Sequence, residues 1–156
     1  MTLPPFGALV DEHRDRLARF CVAAVGPTDA SDLEHDTWLA ALRAYPTVVS
    51  DQNLGGWLVT IAHRKAIDRW RTGHRETATD QVPDVPAAAV DVVDDGLWAA
   101  VDRLPDGARS AVLLRYVADL PYADIGTELG CSEAAARQRV RAGLSTLRTT
   151  ITREQP

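Results

Sequence analysis

Four side chains that can contact DNA lie close together near the end of the chain: Arg137, Gln138, Arg139 and Arg141. Arginine can bind a guanine edge and glutamine an adenine edge through paired hydrogen bonds, and both types also bind phosphate. They fall in the first two turns of a segment that opens with three helix-favouring alanines, residues 134–136. Such a helix fits the major groove, so the pattern predicts duplex DNA binding. A surface hairpin of two helices with a solvated charged face is the alternative.

The residues before this helix predict a helix-turn-helix. Tyr122, Ile125 and Leu129 have the i, i+3, i+7 spacing of one helix face. Gly130 supplies the left-handed conformation that ends a helix at low cost, and Ser132 is a candidate N-cap of the next helix. A short apolar helix, a glycine turn and a second helix with basic and amide side chains form this motif. We count Ser132 among the DNA-contacting residues.

A second basic cluster lies in the first half of the chain. Arg64, Arg71 and Arg75 have i, i+7, i+11 spacing, which places them on one face of a predicted helix. The helix dipole also favours cations near a C-terminus, but only by about 0.3–1 kcal/mol each. The cluster exceeds that need, so we predict a phosphate-facing surface with an aromatic side chain beside it. Its predicted DNA-contacting members are Arg64, Lys65, Arg69, Trp70, Arg71 and Arg75.

The composition limits the classes of function. The chain has 156 residues, 46% of them hydrophobic, and a net charge of −5. It can form packed cores, but its DNA binding must come from local basic faces on an acidic body. Cys21 and Cys131 are far apart and lack metal-ligand spacing, so neither a disulfide, a metal nor a cofactor is expected. Without a signal segment or a long apolar run, we expect a cytoplasmic protein without membrane contact.

The periodicity predicts an all-α chain of two small helical domains. Residues 1–75 predict three helices, at about 6–25, at about 30–45, and from about 54 or 57 to 72, with Gly26-Pro27 and Gly73 as helix ends. Residues 76–95 contain Pro83 and Pro86, are acidic and lack Lys and Arg, so they predict a flexible linker. Residues 96–156 predict a four-helix unit that includes the helix-turn-helix.

The second predicted helix begins with three carboxylates, Asp32, Glu34 and Asp36. The helix dipole favours acidic side chains in a first turn. From the residues alone, this structural explanation is preferred over a binding role.

Three segments together resemble one family, the extracytoplasmic-function sigma factors of bacterial RNA polymerase. Residues 30–45, ASDLEHDTWLAALRAY, and residues 56–71, GWLVTIAHRKAIDRWR, resemble the conserved second region of the family. Residues 104–133, LPDGARSAVLLRYVADLPYADIGTELGCSE, resemble its fourth region. The segments occur in the expected order with the expected linker length. The resemblance implies a subunit that binds core polymerase, selects promoters and assists promoter opening.

The resemblance also implies residue roles. Asp32, Asp36, Leu39 and Arg43 match the surface that docks on the polymerase clamp, and the fourth region implies a contact with the flap. Asn53, in the loop at 45–56, matches the segment that captures an unstacked base of the minus-ten element. The basic helix matches the part that meets the opening duplex, and the helix at 137–141 matches the one that enters the minus-thirty-five groove. An anti-sigma protein is the further partner that the resemblance implies.

The predicted helix that carries Arg137 to Arg141 departs from the family pattern near its end. Residues 142–143 lack the basic side chains that are common there in the family. Gly143 is expected to cost the helix about 0.5–1 kcal/mol relative to alanine.

Two other classes of protein compete with a sigma factor. A two-domain helix-turn-helix regulator would bind duplex DNA without polymerase, with a steep salt dependence. An enzyme is disfavoured, because the four histidines show no ligand or triad spacing and no phosphate-binding glycine loop is present.

Overall fold

The computed structural model describes residues 2–51, 53–76 and 95–154; residues 74–76, 95 and 154 are described by their backbone alone. The chain divides into two compact units, Met1–Ala88 and Ala89–Pro156. Every regular element in the described part is helical, which confirms the all-α prediction. The predicted linker falls almost wholly on residues 77–94, which lie outside the described residues, so its flexibility and the exact domain limits stay predictions.

The first unit begins with a helix that is broken once. Helix α1 spans Phe6–Ala44, but Gly26 inside it has φ 82° and ψ 166°, which are not helical, so residues 6–25 and 27–44 are two helices. The predicted break at Gly26-Pro27 is therefore confirmed. The second part starts at Pro27 rather than near Ala30, because proline suits a first helical position, where no N–H donor is needed.

A short turn and one long helix complete the first unit. A 3₁₀ turn at Tyr45–Thr47 leads into a loop, and helix α2 spans Leu54–Glu76. Gly73 does not end α2 as predicted, since the helix continues for three more residues. Helix α1 packs against α2, with its first part in contact through Ala24 and Trp70 and its second part through Asp36 and Arg69. The largest fully buried side chains of this core are Leu9, Leu17, Phe20, Leu33, Leu58, Val59 and His63.

Burial also sets the state of a cysteine in this core. Cys21 has no exposed surface, and desolvation, with a smaller contribution from the Glu34 carboxylate, raises the pKa of its thiol to about 12. The thiol therefore stays neutral at ordinary pH.

The second unit is built around a long C-terminal helix. Helix α3 spans Asp95–Asp102, α4 spans Asp106–Val112 and continues as a π-helical turn at Leu113–Val117, α5 spans Tyr122–Leu129 and α6 spans Glu133–Glu154. Helices α3, α4 and α5 all pack on α6. The four predicted helices are thus confirmed.

A buried arginine holds the corner between α3 and α4. The Arg109 guanidinium lies 3.3 Å from Asp102 Oδ1 and 3.1 Å from Asp106 Oδ1. Pro105 occupies the N-cap position of α4, and Asp106 lies in the first turn of the helix. The Asp106 carboxylate pairs with Arg109, whose side chain is only 6% exposed to water.

The turn between α5 and α6 has the predicted chemistry. Gly130 adopts φ 67° and ψ 34°, the left-handed conformation that ends α5. The Ser132 Oγ accepts a hydrogen bond from the Ala135 N–H at 3.1 Å, as an N-cap of α6 does. The Cys131 N–H donates to the Gly126 carbonyl at 2.8 Å, which closes the turn. The helix-turn-helix prediction is confirmed.

Two glycines of the second unit allow backbones to approach closely. A Cβ on Gly126 would lie 2.7 Å from the Cys131 carbonyl oxygen, and one on Gly143 would lie 2.6 Å from Val112 Cγ2. The prediction that Gly143 only weakens α6 was therefore incomplete, because its missing side chain lets α6 pack directly on α4.

Gly126→Ala is expected to destabilise the second unit by about 1–3 kcal/mol, because the added methyl group meets backbone that cannot rotate away. Gly107→Ala is the matched control: a Cβ there meets no atom within 4 Å, so this change should stabilise by about 0.4–1 kcal/mol. Thermal unfolding followed by circular dichroism measures both. Equal melting temperatures for the two variants would contradict the tight turn.

Within the described residues, no helix is both long and apolar enough to span a membrane.

Candidate nucleic-acid interface

The exposed face of α6 carries the predicted DNA-contacting side chains. Gln138, Arg139 and Arg141 are exposed and Arg137 is half-buried. With 3.6 residues per turn, Gln138 and Arg141 lie about 60° apart at the centre of this face, and Arg137 and Arg139 lie on its two flanks. The central pair can therefore approach base edges, while the flanking pair is placed to meet the two phosphate backbones of a groove.

Ser132 lies one residue before α6 and is exposed. Because its hydroxyl oxygen caps the Ala135 N–H, Ser132 has a structural role in setting the start of the helix. The same position brings it to the end of α6 from which the four side chains project.

A ring contact that the sequence did not suggest ties Arg137 to the rest of the second unit. The Arg137 Cζ lies over the Tyr122 ring, 4.8 Å from its centroid, and the Arg115 Cζ lies over the same ring at 4.4 Å. Arg137 also pairs with Glu133 at 3.3 Å. We call Arg115, Tyr122 and Arg137 the Tyr122 cluster. The spacing of Tyr122 predicts only a place on an apolar helix face, and no sequence pattern connects Arg115 to α6.

The basic helix of the first unit keeps part of its predicted surface. Arg64 and Arg71 are exposed and Lys65 is half-buried, all on α2. Arg69 is 32% exposed and forms an ion pair with Asp36, with the Nη2 and Oδ2 atoms 3.1 Å apart. Arg75 lies in the last turn of α2, but its side chain falls outside the described residues.

Trp70 lies in the core rather than on this surface. Its side chain is buried, and the indole Nε1–H donates to the Ala24 carbonyl at 2.8 Å. Ala24 lies in the last turn before the break at Gly26, where helix carbonyls lack intrahelical donors. Trp70 therefore satisfies a helix end, and its ring, which also contacts His63 edge-on, presents no free face to a base. The prediction that Trp70 is an aromatic side chain at the DNA surface is therefore wrong, because the residue is buried in the core.

Trp70→Phe is expected to lower the stability of the first unit by about 1–3 kcal/mol, because the Ala24 carbonyl loses its donor and the smaller ring leaves a void. Promoter binding by the folded protein should stay close to that of the unmodified chain. Thermal unfolding and promoter binding below the transition measure the two effects. A variant with unchanged stability and lost promoter binding would show instead that the ring contacts DNA.

Asn53 lies at the start of α2 and has a local structural role. It is exposed and has φ 57°, a left-handed conformation that asparagine tolerates better than most residues. Its Oδ1 accepts a hydrogen bond from the Gly56 N–H at 3.1 Å, which caps the helix. A Cβ on Gly56 would lie 2.5 Å from the Asn53 amide, so the glycine is needed for this cap.

Aromatic side chains anchor the loop that precedes Asn53. The Tyr45 ring contacts Phe6 at a centroid distance of 5.4 Å and Trp57, in the first turn of α2, at 6.2 Å. The two ends of the loop are therefore fixed to one cluster. Val49, between them, is 87% exposed.

The second part of α1 presents a continuous stripe. Asp32, Asp36, Leu39 and Arg43 have i, i+4, i+7, i+11 spacing and all are exposed. Because this helix starts at Pro27, Asp36 lies in its third turn, beyond the reach of a dipole effect that fades within the first turn. The dipole explanation preferred from the sequence thus does not account for Asp36. We call these four residues the α1 stripe.

The second unit contains a helix-turn-helix, a motif that DNA-binding proteins use to place a helix in the major groove. Comparison with known families defines the class more closely. The model of sigma-70 region 2 matches residues 9–76, and the model of sigma-70 region 4 matches residues 95–147. Together they cover well over half of the chain.

Individual relatives agree with the family models. The chain is 29% identical over 159 residues to the ECF RNA polymerase sigma factor SigL of Mycobacterium tuberculosis. The matched region covers 92% of this chain and 87% of SigL. It is 30% identical over 144 residues to the ECF RNA polymerase sigma factor BldN of Streptomyces coelicolor, covering 85% of this chain and 54% of BldN.

Two solved structures share the fold. One is the sigma factor RpoE in complex with the anti-sigma factor NepR from Bartonella quintana, with a TM-score of 0.78, 20% identity, and coverage of 96% of this chain and 98% of RpoE. The other is CnrH in complex with the cytosolic domain of CnrY, with a TM-score of 0.72, 22% identity, and coverage of 96% and 89%.

The chain therefore belongs to the sigma-70 family, and within it to the extracytoplasmic-function sigma factors. It is a sigma factor that directs RNA polymerase in transcription initiation.

Proposed function

We propose that this sigma factor divides its work between two domains, residues 1–75 and 96–156, joined by a linker at 76–95. The first binds core polymerase and the minus-ten element and assists opening, and the second binds the minus-thirty-five element. The observation that carries the proposal is that each described unit exposes its own surface of the required chemistry. These surfaces are the α1 stripe with the basic face of α2, and the exposed face of α6.

The α1 stripe is the proposed contact with the polymerase clamp. Leu39 is 39% exposed, and Leu42 on the same helix is 51% exposed. Interfaces combine an apolar centre with a polar rim. Asp36 and Arg43 supply such a rim on either side of Leu39. The second domain supplies a further contact, with the flap.

The basic face of α2 is the proposed contact with the opening duplex. Basic side chains bind phosphate without regard to sequence, so the exposed Arg64 and Arg71 and the half-buried Lys65 can hold the backbone while bases leave the stack. Arg75 is included in this proposed contact because of its sequence spacing alone. Arg69 joins them where its ion pair with Asp36 leaves donors available. Asn53 stands at the N-terminus of α2, next to the exposed loop, and is the proposed contact with an unstacked base. Unstacking costs a few kcal/mol for each base, which these contacts offset.

The exposed face of α6 is the proposed contact with the upstream element. Gln138 and Arg141 contact base edges, because they lie at its centre. Arg137, Arg139 and Ser132 contact the phosphates that flank the groove. Because the net charge of the chain is −5, binding depends on these faces and on the polymerase rather than on bulk attraction.

The chain has no catalytic activity of its own in this proposal, since the polymerase carries out the chemistry. It acts in the cytoplasm, where that enzyme transcribes. An anti-sigma protein holds it inactive. The support for such a partner is the fold shared with two solved structures. RpoE was solved in complex with the anti-sigma factor NepR, and CnrH in complex with the cytosolic domain of CnrY.

Run-off transcription tests the proposal. Purified chain and bacterial core polymerase are mixed with genomic fragments from the source bacterium. Discrete transcripts that need both proteins are the expected result, and a protein that co-purifies with the tagged chain from its source should suppress them. Failure of the chain to bind core polymerase would overturn the proposal. Sequence-specific duplex binding by the chain alone, without any effect of polymerase, would favour the regulator instead.

A further inference from the structure

We propose that Tyr122 is a positioning residue for promoter binding. Its ring holds the Arg137 and Arg115 guanidinium groups so that both donate to phosphates beside the groove that α6 enters. The inference rests on the proposed contact of α6 with duplex DNA and deepens it, because it adds two residues, Tyr122 and Arg115, that no sequence pattern assigned to the DNA surface.

The first support is the convergence of three elements on one ring. Arg115 belongs to the π-helical turn, Tyr122 is the first residue of α5, and Arg137 lies in the second turn of α6. The two Cζ atoms are 4.4 and 4.8 Å from the ring centroid, well within the distance of about 6 Å at which a cation interacts with a ring face. One side chain therefore fixes two cations from different parts of the fold.

The second support is the chemistry of the contact. A guanidinium that stacks on a ring uses its face, whereas its N–H donors lie in its plane and remain directed outward. On Arg115, the Nη1 group donates a hydrogen bond to the Leu120 carbonyl at 3.1 Å. Stacking therefore orients the cation without occupying the donors that a phosphate needs.

The third support is the weakness of the competing contact. Arg137 also pairs with Glu133 at 3.3 Å, but the two side chains are 43% and 56% exposed. An exposed pair of this kind contributes little and is screened by salt. A phosphate can replace the carboxylate, whereas the uncharged ring does not repel the phosphate. The two cations on one ring repel each other, and an anion beside them relieves that repulsion.

Tyr122→Leu and Tyr122→Phe separate the ring face from mere packing. The probe is a promoter fragment recovered by run-off transcription, and holoenzyme containing the full chain is titrated onto it at several salt concentrations. The slope of log affinity against log salt reports the number of phosphate contacts, at about 0.9 for each. Tyr122→Leu should lower the magnitude of this slope by the equivalent of about one to two phosphate contacts. Tyr122→Phe, which keeps the ring, should leave the slope unchanged.

A second pair of variants keeps the test decisive if Tyr122→Leu does not fold. Arg115→Gln should lower the slope by about 0.9, the value for one phosphate. Arg153→Gln, which removes the same charge in the last turn of α6, should have no effect. Core binding by each variant, measured on native gels, should equal that of the unmodified chain.

The outcomes distinguish this inference from the proposed function. If the unmodified holoenzyme binds the fragment and Tyr122→Leu or Arg115→Gln folds yet keeps the full slope, Tyr122 does not position phosphate contacts. A slope that falls equally in Tyr122→Phe would assign the effect to the hydroxyl group and also overturn the inference. If Arg141→Glu leaves binding to the fragment unchanged, the contact of α6 with DNA is itself wrong.

Discussion

Holoenzyme that carries Arg141→Glu is expected to bind the upstream promoter element about 10- to 100-fold more weakly than the unmodified holoenzyme. Arg141 is exposed at the centre of the outer face of α6, where a paired contact to a base edge contributes about 1–3 kcal/mol of discrimination. The glutamate also repels nearby phosphates. Binding to fragments with and without the upstream element measures the loss, and core binding should not change.

Arg153→Glu is the matched control for this prediction. It reverses the same charge on the same helix, in the last turn, away from the side chains that project near Ser132. Its promoter binding should stay within about twofold of the unmodified protein. Equal losses in the two variants would show that α6 contributes only overall charge, which would contradict a groove contact by Arg141.

Asp36→Arg should have the opposite profile, with core polymerase bound about 100-fold more weakly. A reversed charge within a complementary interface costs several kcal/mol, and each 1.4 kcal/mol is a factor of ten in affinity. Asp36 is 53% exposed in its ion pair with Arg69, so loss of the pair changes the stability of the unit by no more than about 1 kcal/mol. Native gels with core enzyme measure the affinity, and thermal unfolding measures the stability.

Asp15→Arg supplies the control for that experiment. Asp15 is exposed on the first part of α1, before the break at Gly26, and lies outside the α1 stripe. It should bind core polymerase normally. If Asp36→Arg unfolds the first unit and Asp15→Arg does not, the ion pair is structural. If Asp36→Arg folds and still binds core polymerase normally, the α1 stripe is not the docking surface.

Local chemistry explains which parts of the fold could be predicted from the sequence. The break at Gly26-Pro27, the left-handed Gly130 and the Ser132 cap depend on neighbouring residues only. Their conformations follow from the absence of a side chain, the absence of an N–H group and the presence of a short hydroxyl side chain. Such features can be recognised before any tertiary contact is known.

Tertiary packing explains where prediction from the sequence failed. The position of Trp70 among arginines predicts a place on the basic surface, but its indole turns inward to donate to the Ala24 carbonyl on another helix. Helix propensity predicts only a cost for Gly143 in α6, because the approach of Val112 on α4 cannot be inferred from propensity. No sequence pattern points to Arg115 for the same reason, since only the fold brings it to the ring of Tyr122.

The residue roles within each surface depend on contacts with molecules outside the chain. Asn53 both caps α2 and stands at the proposed base-binding loop, and Arg69 both pairs with Asp36 and stands on the proposed DNA face. At both positions a structural role coincides with a proposed binding role. Variants at these sites therefore need a stability measurement beside every binding measurement.

Permanganate reactivity of unpaired thymines is the most direct test of the central claim, that this chain opens a promoter as part of the polymerase. The substrate is a promoter fragment from the run-off experiment, incubated with core enzyme, with the chain, or with both. We predict reactive thymines near the minus-ten element only when both proteins are present. A promoter that stays unreactive while the complex is bound, or that becomes reactive with core enzyme alone, would contradict the account.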